Sequence, residues 1–97
     1  MRLHLTPRAV ADVEAIADYL KVRSPSGARR VRAAILEALQ SIVDFPRIGT
    51  RQSIEGVRKF GTRKYPYLIY YSIDDAEGLI IVLTVQHGAR RPEFEDV

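Results

Sequence analysis

The sequence predicts a two-layer α+β domain: an N-terminal strand, an antiparallel helical hairpin, then a three-stranded antiparallel meander. Three observations carry this. Apolar residues recur at helical spacing through the first half of the chain. The period shortens towards two after Pro46. The stretch "DDAEG" at 74–78 reads as a hairpin loop between two strand-like runs. Helices that precede a meander in sequence pack on one face of its sheet.

Residues 2–6, "RLHLT", alternate polar and apolar as a short half-buried strand does. Thr6-Pro7 starts a helix, because threonine caps free backbone N–H groups and proline suits the first helical position. Ala9, Val13, Ile16, Ala17 and Leu20 fall on one face of it, with charged residues mostly opposite, and the helix is expected to end near Val22. "RSPSG" breaks the pattern, with Ser24 or Ser26 as the next cap. The second helix presents Ala28, Val31, Ile35, Ala38, Leu39 and Ile42, and stops at Phe45-Pro46, since the residue before proline is driven out of helical geometry. Residues 47–56 are polar and turn-rich. Residues 57–64 form a strand with Gly61 as a bulge or bend. Residues 67–73, "YLIYYSI", are aromatic and β-branched, a favourable strand. Residues 79–86, "LIIVLTVQ", are almost all apolar and fit an interior strand covered on both faces.

The 97 residues form a single domain, 1–97, and 46% hydrophobic content suffices for a thin core. Cysteine is absent, which excludes disulfides and thiolate metal sites and fits a reducing compartment. No apolar run approaches a membrane helix, and Met1 to Pro7 is too short and polar for a signal peptide, so a cytoplasmic protein is expected. The net charge of +3 favours an acidic partner or a nucleic acid.

The words "LTPRAVADVEAIADYL", "FPRIGT", "VRKFGTRKYPYLIYYSID" and "IIVLTVQHGARRP", in that order, resemble the RelE/ParE superfamily of bacterial toxins, the toxin halves of type II toxin–antitoxin pairs once described as plasmid stabilisation proteins. The resemblance implies a cognate antitoxin, ParD-like, in an assembly that the family suggests is a heterotetramer. No cofactor is expected, and the acidic residues Glu93, Glu95 and Asp96, at the end of the chain, are not expected to hold a metal. The resemblance also implies one of two activities. RelE-like members cut messenger RNA in the ribosomal A site. ParE-like members poison DNA gyrase without hydrolytic chemistry of their own.

RNA cleavage through the 2′-hydroxyl needs a base, an acid and a stabiliser for the phosphorane. Where RelE-like nucleases place an arginine just before an "LVY"-like word, this chain has Tyr67, which makes no bidentate phosphate contact. Where some carry a C-terminal tyrosine, it has Phe94. Arg58, Lys59, Arg63, Lys64 and Arg90 keep the positive charge. His87 could act as acid or base, but ParE-like members also resemble "V-x-H-x-x-R" at this place, and a strand-end histidine bonded to a neighbour is the bland alternative. The resemblance therefore favours the ParE-like branch: a gyrase poison whose contacts come from Arg58, Lys59, Arg63, Lys64, His87, Arg90 and Arg91. The toxin alone is not expected to bind specific DNA sequences. An amphipathic antitoxin helix is expected in a groove on the hairpin, against Val13, Ala17 and Leu20. The alternatives are a RelE-like endoribonuclease using His87 and Arg90, and a non-toxic co-repressor acting only with its antitoxin.

The basic cluster Arg29, Arg30 and Arg32 at the start of the second helix has a solvated face as its simplest account. Strict alternation sends Tyr70 to one face of the sheet and Tyr67 and Tyr71 to the other, so core packing outweighs base stacking for this set.

Overall fold

The computed structural model describes residues 1–88. Strand β1 (Arg2–Leu5) leads into helix α1 (Pro7–Arg23), then helix α2 (Pro25–Asp44), then strands β2 (Thr50–Arg51), β3 (Arg58–Gly61), β4 (Tyr67–Asp74) and β5 (Leu79–His87). The two-layer α+β class holds. The sheet is larger than the predicted meander: five strands in the order β1-β5-β4-β3-β2. β1 pairs with β5 in parallel and the other pairs are antiparallel. The extra strand, β2, is two residues of the turn-rich segment that pair with Arg58 and Lys59. Such a fragment has no period of its own to read.

Ser24 alone joins the two helices. Its N–H donates to Leu20 O at the end of α1, and its hydroxyl accepts from Gly27 N at 3.1 Å as the cap of α2. Ser26 lies inside α2. At the start of α1 the Thr6 hydroxyl accepts from Ala9 N at 3.1 Å, with Pro7 in the first helical position. The apolar stripe of α2 is buried as its spacing requires, at Val31, Ile35, Ala38, Leu39 and Ile42. It meets Tyr67, Ile69, Tyr71, Ile80, Val82 and Val85 from the sheet. From α1 only Ala9 is fully buried; Val13, Ile16 and Leu20 are half-covered. Tyr67 and Tyr71 join the helix-side core, and Tyr70, also fully buried, lies outside that cluster. β3 ends at Gly61. The irregularity expected there sits instead in β5, where Tyr70 faces Thr84 but Tyr71 faces Val82, so Leu83 is an extra residue in the ladder.

β5 outruns its neighbour. β1 stops at Leu5, opposite Val82, so residues 83–87 of β5 have no strand on that side. An open strand edge must be covered, and the start of α1 covers it. The Thr6 hydroxyl donates to Leu83 O at 2.9 Å. The Asp12 carboxylate accepts from Val85 N at 3.0 Å and from the Thr84 hydroxyl.

A second brace holds the loop between α2 and β2. The Tyr71 hydroxyl donates to Pro46 O at 2.7 Å and accepts from Gly49 N at 2.9 Å. Arg58 Nη1 donates to Gly49 O at 2.8 Å and to Arg47 O at 3.1 Å. Glycine at 49 follows from this closeness: a Cβ there would lie 2.6 Å from Tyr71 Oη.

Candidate partner and target surfaces

The residues singled out in the sequence separate into distinct places. Arg58 sits at the start of β3, committed to the carbonyls of residues 47 and 49, in a cleft it shares with Arg47, Arg51, Glu55 and Asp75. Arg47 is paired with Asp75 at 3.0 Å. Lys59 follows on β3, opposite Tyr70. Arg63 and Lys64 lie past the other end of β3, in the turn to β4. They line a cleft with Arg30, Ala33, Ala34, Glu37 and Tyr65. Arg63 is 4.0 Å from Glu37 with most of its side chain in solvent. Lys64 has φ of 69°, a left-handed conformation uncommon for a side-chain-bearing residue.

His87 closes β5 opposite Tyr67, and the two rings meet edge to face with centroids 5.4 Å apart. Tyr67, in the position where the RNA-cutting branch would carry an arginine, turns into the helix-side core and is 8% exposed. Burial pushes its hydroxyl pKa up, and the neighbouring Tyr19 pushes the same way. Tyr71 is also raised, by burial, against the lowering effects of the Gly49 hydrogen bond and the Arg58 charge. The sign of the linkage follows. The unfolded chain ionises these hydroxyls from 10.0 upward, the folded chain only at higher pH. Their contribution to stability is complete below pH 10.0 and is lost as pH rises through the folded values. Urea midpoints are therefore expected to fall between about pH 9 and about pH 11, with a shallower fall in Tyr67→Phe.

Val13, Ala17 and Leu20 come together as expected from their spacing. They line a narrow groove between the helices with Ala28, Val31 and Ile35, about 210 Å³ in volume. Arg90, Arg91 and Phe94 lie outside the described residues. No helix among the described residues is long and apolar enough to cross a membrane.

Sequence reasoning missed two features. The first is Arg30 beside Arg63 and Lys64, because a position in the first turns of α2 carries no sign of which loop it will face. The second is Asp12, which looked like one charge on a solvated helix face.

Comparison with known proteins places these features in context. The family described as the ParE toxin of the type II toxin–antitoxin system parDE matches residues 3–92. The chain is 34% identical over 85 residues to a Caulobacter vibrioides protein named Toxin RelE2, covering 88% of this chain and 92% of that one. It superposes on a chain of the chromosomal ParDE system of P. aeruginosa with a TM-score of 0.76 and 23% identity, over 90% of this chain and 95% of that one. The isolated E. coli RelE toxin gives a TM-score of 0.69 at 21% identity, over 95% and 87% of the two chains. At such identities the two structures speak for the fold alone.

Proposed function

We propose a function from this premise: the chain belongs to the ParE toxin family of type II toxin–antitoxin systems. It acts by binding DNA gyrase and holding that enzyme on cleaved DNA, and it carries out no hydrolysis itself. Tyr67 is the observation that carries the reading. A buried, neutral tyrosine on the helix side of the sheet cannot clamp a phosphate where the RNA-cutting branch needs a cation. Arg58 adds support, since its guanidinium is already held by two loop carbonyls.

The gyrase-facing surface is the end of the sheet that carries Arg63, Lys64 and His87, with Arg30 beside them. Arg90 and Arg91 follow three and four residues after His87 in sequence and extend the same charge. A supercoiling assay with purified gyrase, ATP and plasmid is the test. Linear DNA is expected after detergent and protease treatment. Charge reversal at Arg63 and Lys64, or at Arg90 and Arg91, is expected to lower it by roughly tenfold or more while the melting curve stays put. Gyrase left untouched by the wild-type protein overturns the reading.

A second reading has its own support, the relative named RelE2 and an exposed histidine at the end of β5. There the protein is a ribosome-dependent endoribonuclease, with His87 as acid or base and Arg90 as phosphate contact. That version requires His87→Ala to stop cleavage on translating ribosomes; a variant that cuts and kills like wild type excludes it.

Either toxin is silenced by an antitoxin, ParD-like in this family. Its amphipathic helix lies in the groove of Val13, Ala17 and Leu20, where α1 leaves its apolar face half-covered.

A further inference from the structure

At the edge of the sheet where β2 pairs with β3, two like charges face each other. Arg51 lies directly opposite Arg58. The next residues outward, Gln52 and Val57, are joined by a hydrogen bond from Gln52 N to Val57 O at 2.9 Å. In an antiparallel ladder this makes Arg51 and Arg58 a non-hydrogen-bonded pair, the kind whose side chains come closest. Both project from the same face, and like charges directly opposite one another destabilise a strand pair. β2 has only two residues, so half of its ladder is this pair.

The same two arginines line a cleft of about 470 Å³ together with Arg47, Glu55, Ile73 and Asp75. Arg58 is fixed there. Both of its loop bonds leave from Nη1, to the carbonyls of Arg47 and Gly49, and Nη2 and Nε donate to no described residue. Arg47 is aligned by Asp75 at 3.0 Å. Arg51 is exposed and has no partner among the described residues. The facing charges are therefore held in place with donor capacity left over.

We propose that this cleft binds the carboxylate of an acidic side chain on a protein partner. A carboxylate between Arg51 and Arg58 turns their repulsion into two attractions, and the guanidinium fork matches a pair of carboxylate oxygens. Arg58 and Arg47 are already ordered, which lowers the cost of binding. The described lining carries three arginines and two carboxylates, so one further negative charge balances it. A nucleic-acid strand brings a phosphate with every nucleotide, and its neighbouring phosphates meet Glu55 and Asp75. Ile73 in the lining offers an apolar surface to the methylene stem of a glutamate. The carboxylate belongs to the antitoxin or to gyrase, a step that rests on the reading above.

The test titrates the full isotopically labelled chain with N-acetylglutamate methylamide at constant ionic strength. The neutral glutamine analogue and dimethyl phosphate are run in parallel. Saturable shifts are expected at the amides of Arg51, Gln52 and Arg58 with glutamate, none with glutamine, and weaker binding with dimethyl phosphate. No saturable shifts with glutamate, equal shifts with glutamine, or a phosphate diester that binds as tightly or more so overturns the proposal. Arg51→Thr suits a strand and removes the facing charge. It should weaken glutamate binding about tenfold and raise the melting temperature by about 2–4 °C. An arginine kept for the fold moves that temperature the other way, so a fall or no change also overturns it. In the assemblies, Arg51→Thr should weaken association with the antitoxin about tenfold if the antitoxin supplies the carboxylate. It should lower gyrase-dependent linear DNA about tenfold if gyrase does. Both unchanged overturns the proposal. A wild-type protein that leaves gyrase untouched fails the reading above, while the titration and the antitoxin complex still decide the cleft.

Discussion

Asp12→Ala is expected to lower the unfolding free energy by about 3 kcal/mol, because it leaves two donors on β5 without an acceptor. The Val85 amide and the Thr84 hydroxyl both end on Asp12 Oδ2, and Thr84 is fully buried. The loss falls where β5 has outrun β1, so a carboxylate on a helix does the work of a missing strand. Asp12→Asn should recover most of the stability, since one amide oxygen can accept both bonds. Urea unfolding of the three proteins decides this. If asparagine is as damaging as alanine, the negative charge matters and not the acceptor atom.

Gly49→Ala is expected to cost about 2–3 kcal/mol, the scale of an overpacked site. A Cβ at residue 49 meets Tyr71 Oη at 2.6 Å, Tyr71 Cε1 at 2.8 Å and Lys59 O at 3.0 Å. The two partners cannot both give way, because the tyrosine hydroxyl is tied to Pro46 and Gly49, and Lys59 O belongs to the sheet. Tyr71→Phe alone should cost about 2 kcal/mol by stranding Gly49 N–H and Pro46 O. The double variant should be less damaged than the sum, as the nearest colliding atom and the hydrogen bonds disappear together. It should not return to wild type, since Cε1 remains. Strict additivity in thermal melts would mean that the loop moves as a whole and that Tyr71 does not hold it.

The two features behind these predictions were illegible in the sequence for different reasons. Asp12 sits at a position whose neighbours in the chain, Ala11 and Val13, say nothing about a strand end over 70 residues away. Gly49 could be read as a turn glycine, but its constraint comes from a tyrosine 22 residues later. The helices were a different matter. Of the six α2 residues named from spacing alone, Val31, Ile35, Ala38, Leu39 and Ile42 are buried and Ala28 is half-covered, and the Thr6-Pro7 start is the observed cap. Among the candidate contact residues, Val13, Ala17 and Leu20 came together because they share one helix. Arg58, Arg63 and Lys64 did not, since a strand and a turn carried them to opposite ends of the sheet.

The sequence by itself determined the two-layer class, the helical hairpin, the meander strands and the resemblance to the toxin family. These depend on local period and capping, which act over a few residues. The tertiary structure alone decided that β1 pairs in parallel with β5, that β2 exists, that Leu83 is an extra residue, and that Tyr67 faces the core beside His87. Each is a pairing between segments distant along the chain. Its energy comes from closing a shared edge or filling a shared core, and no single stretch of sequence records that choice.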